Sequence, residues 1–286
     1  MAEAVSGIVR KTGTSSRTKA SVQEGASGGW FALIERHLAG VISIGMLLVF
    51  WEILSRWLLP MLNPRAAVLM PPPSLVILAG WEGLRSGVLL THAIASTQRV
   101  LIAWGAVCVI AIPLGIAMGW WSRFNAYFNP IIELLRPIPP LAWIPISILW
   151  FGIGLEQNVF IIMIGCFFPV LLNTIHGVRS IDPVLIRAAR NFCTREFTIL
   201  RRVVLPAALP NIFTGARIGL GVAWMVLVAA ELVAATSGLG FMIEDARNFL
   251  RTDIIFVGMI SIGFMGILME GLLRLLQSRL LVWYHG

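Results

Sequence analysis

The sequence predicts an all-α integral membrane protein with about six spanning helices, and three observations carry that reading. Hydrophobic residues make up 58% of the 286 positions and charged residues only 13%, against about 25% charged in soluble domains. Val100–Trp121 and Gln157–Val178 contain no charged side chain, and each is long enough to cross about 30 Å of hydrocarbon. The arginines gather at the ends of apolar runs, as topology signals do.

The elements follow in chain order. Residues 1–36 are rich in Ser, Thr, Gly, Ala and charge and are expected to form a disordered cytoplasmic tail. The first apolar run starts too far in, and lacks the small-residue cleavage site, for a cleaved signal. Leu38–Leu59 is the first span. With the proline-punctuated outer loop that follows, it makes up a first region over residues 37–91. Trp81–Ser96 is predicted to be an interfacial helix, with Ser96 and Arg99 near the entry to the second span, Val100–Trp121. Gly115, Met118 and Gly119 give that span a small-residue face suited to close packing.

Phe128–Trp150 is the third and least secure span, because Pro130, Pro137, Pro139, Pro140 and Pro145 interrupt it. In lipid, such breaks survive only where protein or cavity water satisfies the freed carbonyls. The segment is expected either to face the bundle interior or to be an interfacial loop before a shorter span. Glu133 and Arg136 have the helical spacing for an ion pair. Gly152–Asn158 reads as an outer turn. The remaining spans are Gln157–Val178, Ile212–Ala235 and Ile254–Leu276, with a glycine turn at Thr236–Phe241 and an amphipathic segment at Ile243–Thr252. Residues 92–278 form the main transmembrane domain.

An even number of spans puts both termini on one side. Five basic residues precede the first span, and six arginines lie between Arg179 and Arg202. That bias makes the shared side the cytoplasm. The net charge of +8 is thereby accounted for without a nucleic acid. Cys108, Cys166 and Cys193 lack metal or redox spacing and read as small hydrophobes. No phosphate-binding glycine loop, nucleophile elbow or paired metal-ligand histidines are visible in the sequence. No cofactor is expected on this chain.

The most informative stretch is Asp182–Pro210, a basic, helix-patterned island between apolar spans. Asp182 is suited to cap a helix whose first residue is Pro183. Val184, Leu185, Ala188, Ala189 and Phe192 recur at helical spacing, while Arg187 and Arg190 lie off that face. Thr194 is suited to cap a second helix, with Ile199, Leu200, Val203 and Val204 on its apolar face. By pattern alone, two readings stand: an amphipathic helix on anionic lipid, or a helix that fills a groove on a partner protein.

The island resembles the cytoplasmic signature of ABC importer permeases, in which Glu-Ala-Ala, Gly, Ile and Leu-Pro stand at fixed spacing. Here the positions are Arg187-Ala188-Ala189, Cys193, Val203 and Leu205-Pro206, with every spacing kept. Arg187 replaces the acidic residue and Cys193 the glycine. The resemblance extends from about Pro71 to the C-terminus. The runs Pro137–Gly154 and Ala229–Ala235 look closest to taurine and aliphatic sulfonate permeases, within a branch that also imports nitrate, bicarbonate or pyrimidine precursors.

This resemblance implies a type I importer permease fold and a homodimer. It also implies two ATPase subunits that bind ATP and Mg, and an external solute-binding protein. The ATPase-coupling element would comprise Arg187, Ala188, Ala189, Cys193, Val203, Leu205 and Pro206. Pro139, Pro140, Trp143 and Asn173 are candidates for the translocation path. Glu231, an ionisable group inside a span, is a further candidate, or else a glutamate paired with an arginine near the outer interface. Three other classes compete. An ion-coupled carrier is expected to show inverted repeats, an intramembrane enzyme a catalytic cluster, and a passive channel no docking island.

Overall fold

The computed structural model describes residues 28–62, 69–192 and 195–280. They fall into two compact units, one ending at Pro64 and the other beginning at Arg65. The first unit is helix α1 (Gly28–Ile53), a π turn over Leu54–Leu58 and the short helix α2 (Leu59–Leu62). The π turn has a local cause. Pro60 lacks an N–H, and its ring crowds the carbonyl four residues back, at Arg56, so the ladder widens by one residue there. The apolar stretch Gly40–Met61 meets the length and hydropathy of a span. The predicted tail, residues 1–36, lies mostly outside the described residues.

The second unit begins with α3 (Pro73–Arg85), which starts at a proline as helices tolerate, and stops before Gly87. Gly87 takes a left-handed φ of 78° and opens the 33-residue α4 (Val88–Trp120). The predicted interfacial helix Trp81–Ser96 is therefore two helices divided at Gly87. Residues 73–85 pack with the main bundle: Val76, Leu89, Ala93, Leu239, Met242 and Val257 form one apolar cluster. The described fold thus starts its main unit earlier than residue 92.

The predicted third span is broken. It consists of α5 (Ser122–Leu135), a 3-10 turn over Pro140–Trp143 and α6 (Ile144–Phe151). The two limbs meet at 83°, because Pro137, Pro139 and Pro140 remove donors and forbid helical geometry before them. Glu133 accepts a hydrogen bond from Asn129 at 2.6 Å instead of pairing with Arg136. Then come α7 (Leu155–Arg179), α8 (Pro183–Asn191) and α9 (Glu196–Ile199). A second π turn over Leu200–Val204 leads into α10 (Leu205–Ala234). It ends two residues ahead of Pro206, just as the first ends two residues ahead of Pro60. The chain continues with α11 (Leu239–Asn248) and α12 (Thr252–Leu280).

Helix α7 is the centre of the bundle, packed against α4 on one side and α10 on the other. Glycines allow the approach. A Cβ on Gly115 or Gly119 of α4 would lie 2.7 Å from Thr174 or 2.6 Å from Val178 of α7. On α10, Gly215 and Gly219 meet Asn173 and Val170 of α7 in the same way. The predicted small-residue face of α4 is thus a helix contact, and α10 repeats the device at Gly215 and Gly219, while Gly221 faces open space. With little hydrophobic gain available between helices in lipid, such close packing is what holds them. Trp104 of α4 adds a hydrogen bond to the Ala216 carbonyl of α10 at 2.9 Å.

Large apolar side chains cover the outward surfaces, among them Val109 (74% exposed), Met225 (75%) and Ile267 (74%). In water this would be a continuous aggregation surface, and in lipid it is the solvated face. Five helices among the described residues have the length and hydropathy of spans, and the bent α5–α6 pair makes a sixth when taken as one. All described regular structure is helical, as the sequence predicts.

Candidate coupling surface and transport path

Over the described residues, the island forms the two helices that the pattern predicts, one on each side of residues 193–194. Asp182 caps α8: its carboxylate accepts from the Val184 amide at 2.7 Å, and Pro183 occupies the first turn. The two apolar faces have different surroundings. Ile199 and Val204 are fully buried with Val178, Ile181, Ala208 and Ile212, and Leu200 and Val203 pack against that cluster. This second face glues the island to the ends of α7 and α10. On α8, Ile186 and Ala189 touch the same cluster, while Val184, Leu185, Ala188 and Phe192 face outward. Phe192 is 84% exposed.

The seven predicted coupling residues therefore divide. Arg187 and Ala188 are exposed on α8, and Ala189 is half-buried behind them. Val203, Leu205 and Pro206 sit where the π turn enters α10, half-buried against the bundle. Cys193 lies outside the described residues, as does the predicted cap Thr194. Arg190 of α8 braces the two helices of the island, pairing with Glu196 at 3.1 Å and standing 6.0 Å above the Trp120 ring.

The five candidates for the path do not converge on one cavity. Pro139 is exposed and Pro140 half-buried, both at the α5–α6 elbow. In the chain by itself, the elbow thus faces outward, and only Ile144 and Ser147 below it are buried. Trp143 lines an apolar cleft of ≈ 450 Å³ with residues of α4, α5 and α7, Phe160 and Phe167 among them. Asn173 faces α10 at Gly215 and donates to the Pro169 carbonyl at 2.8 Å.

Glu231 is the centre of a closed polar cluster at the end of the bundle opposite the island. It is 1% exposed. Arg99 Nη1 donates to its Oε1 at 2.6 Å, and Ser96 Oγ to the same oxygen at 2.8 Å. The Gly240 amide donates to Oε2 at 2.8 Å. The same Arg99 holds the Ser237 carbonyl at 2.7 Å and its hydroxyl at 2.9 Å. Three successive amides at the start of α11 are satisfied by side chains from α4 and α10. Gly238 donates to His92 Nδ1 at 3.1 Å, Leu239 to Ser96 Oγ at 2.8 Å, and Gly240 to Glu231. A helix start that would otherwise bury orphan donors is thus tied to two spans at once. The arrangement is that of a paired glutamate, with no open face toward a solute.

Sequence reasoning placed Ser96 and Arg99 at a span entry without naming their partner. The signal was present: His92, Ser96 and Arg99 fall at i, i+4 and i+7, a polar stripe on an otherwise apolar helix. Asn158 was also missed. It is fully buried and donates to the Ala234 carbonyl at 3.1 Å, which fastens the start of α7 to the end of α10.

Comparison with known proteins gives this geometry a family. The sequence model described as "Binding-protein-dependent transport system inner membrane component" matches residues 111–282. The taurine transport system permease protein TauC of Escherichia coli K12 is 42% identical over 250 residues, 86% of this chain and 90% of that protein. A putative aliphatic sulfonates transport permease protein, SsuC of Bacillus subtilis, is 35% identical over 249 residues, covering 87% and 88%. The bicarbonate transport system permease protein CmpB of Synechococcus elongatus is 38% identical over 200 residues, covering 70% and 72%. In fold, a chain of the MetNI methionine ABC transporter in inward-facing form superposes with a TM-score of 0.53 at 21% identity, covering 65% of this chain and 96% of that one. With a multi-pass helical bundle of the type I importer fold and relatives matched over most of their length, this chain belongs to the binding-protein-dependent transport family as an ABC importer permease component.

Proposed function

We propose that this chain is the membrane-spanning subunit of an ATP-driven importer for a small anionic solute, taurine or an aliphatic sulfonate, handed over by an external solute-binding protein. Two ATP-binding subunits dock on α8 from the cytoplasm, and two copies of the chain enclose the path. ATP and Mg belong to the docked subunits, and this chain carries out no hydrolysis. The observation that carries the proposal is α8 itself. It is a capped helix between two spans, anchored by Ile186 and Ala189, with Val184, Leu185, Ala188 and Phe192 left outward. A short amphipathic face presented this way suits a groove on a partner.

Coupling then has a simple physical form. Nucleotide binding gives the docked subunits different affinities for two arrangements of the bundle, and α8 transmits that difference. Its lever is direct, because the π turn after α9 continues into α10 and α10 lies along α7. The solute assignment rests on relatives named for taurine and sulfonates. Nitrate, bicarbonate or a pyrimidine precursor is the alternative cargo for the same machinery, and a bicarbonate permease is among the relatives. An anion in the path would be met by amide donors and helix N-termini sooner than by Glu231, whose oxygens are engaged.

The test is Ala188→Glu. A carboxylate at this exposed position leaves the fold intact and blocks close approach of the partner. Uptake of labelled taurine should fall to background while the chain remains in the membrane fraction. Normal uptake, or purification of the wild-type chain without any ATPase subunit, would sink the proposal.

A further inference from the structure

We propose that the groove between the island end of α4 and the inner side of α8 binds the phosphate of an anionic phospholipid headgroup. The groove measures ≈ 690 Å³ and is lined by Trp120, Trp121, Arg179, Arg187, Arg190 and Glu196, with apolar neighbours between them. Its size falls within the roughly 300–1,000 Å³ of ligand pockets. Its charge is one-sided: three guanidinium groups against one carboxylate.

The single carboxylate is already taken, since Glu196 pairs with Arg190. Arg187 has no hydrogen bond or ion pair among the described residues. Among the described residues, Arg179 reaches only the Met118 carbonyl, at 3.4 Å. Two guanidinium forks are thus left to an outside acceptor. Planar forks of this kind match phosphate oxygens two at a time.

Position selects the source of the phosphate. The groove opens at the ends of the candidate spans α4 and α7, beside the close Gly119–Val178 contact. Paired tryptophans at that level mark the headgroup region. Basic pockets between spans at this depth are where anionic lipid heads bind. The groove also lies on a different face of α8 from the outward residues Val184, Leu185, Ala188 and Phe192, none of which lines it. A docked ATPase and a bound headgroup can therefore be held by the same helix together. In this chain Arg187 stands where the permease signature carries an acid, and that exchange removes the carboxylate that would repel a phosphate.

The experiment uses the full chain purified with its ATPase subunits in neutral detergent. Thermal unfolding is followed while short-chain phosphatidylglycerol, short-chain phosphatidylcholine or inorganic phosphate is added. Phosphatidylglycerol should raise the midpoint by a few degrees through binding to the folded state, and the other two should leave it unchanged. The double variant Arg179→Gln, Arg187→Gln should lose the rise, as Arg187→Gln alone should in large part. Arg85→Gln, at the end of α3 and far from the groove, should keep it. An equal rise with inorganic phosphate would make the groove a free-anion site. An equal rise with phosphatidylcholine would show an effect of the tails. A rise seen only once the ATPase subunits are removed would assign the groove to the partner. Each of those results, or a rise that survives both variants, overturns the proposal. Failure of ATPase subunits to co-purify would strike the transport reading alone, since the lipid response is then read on the chain by itself.

Discussion

Arg99 and Glu231 show what a buried charge pair does in this protein. Neither side chain has water to fall back on, with the two side chains 6% and 0% exposed. Removing one partner leaves the other ionised and unpaired in a low-dielectric interior, which costs about 3–5 kcal/mol, whereas an apolar replacement of both is far less harmful. Arg99→Met should therefore lower the thermal midpoint strongly. The double variant Arg99→Met, Glu231→Leu should lose less than the sum of the two single variants, as a double-mutant cycle of unfolding measurements would read. Additive losses would show that the pair is not coupled. Gly238 belongs to the same site. Its φ of 114° disfavours any side chain, and a Cβ there would overlap the Glu231 carboxylate, so Gly238 is held by two independent constraints.

At the scale of elements, close helix approach through glycine is a design that can be tested by contrast. Gly219 and Gly221 are two positions apart on α10 and look alike in sequence. A Cβ on Gly219 would lie 2.7 Å from Val170, while one on Gly221 meets nothing within 4 Å. Gly219→Ala should destabilise by about 1–3 kcal/mol through overpacking. Gly221→Ala should be neutral or stabilising, because alanine is the better helix former. Melting curves of the two variants in the same detergent decide it, and equal effects would refute the packing account. The π turns make a second lesson at this scale. Both stand ahead of a proline, at Pro60 and at Pro206, so the widened ladder is a local answer to a missing donor. That at Pro206 has a further consequence, since it sits in the lever between the island and α10.

At the scale of the second unit, the bundle has two ends with different jobs. The island end carries Trp120, α8 and the arginines. The opposite end carries Gly87, the Gly152–Gly154 turn and α11, with His92 of α4 joined to Gly238. If the island faces the cytoplasm, cysteines introduced at the two ends must differ in access. In a Cys193→Ser background, Arg247→Cys, at an exposed position of α11, should react with a membrane-impermeant maleimide added outside intact cells. Asn191→Cys on α8 should react only after the membrane is opened. Labelling of both from outside would invert or dismantle this topology.

How much of this was legible in the sequence follows from the reach of each interaction. Hydrophobic runs, proline breaks, the Asp182 cap and the spacing from Arg187 to Pro206 are local along the chain, so the sequence by itself determined an all-helical chain of about six candidate spans with a capped island between the fourth and the fifth. Which limb of the third segment lies buried, which glycines touch a neighbour, and what Glu231 does depend on residues far apart in the chain. Glu231 and Arg99 are 132 positions apart, and nothing in either local pattern names the other. The same holds for the island: its two apolar faces look equivalent in sequence, and only packing against α7 and α10 buries one and leaves the other open. Periodicity reports which side chains share a face, but the tertiary structure decides which faces find a partner, because burial is a property of the neighbours and not of the helix that carries the residues.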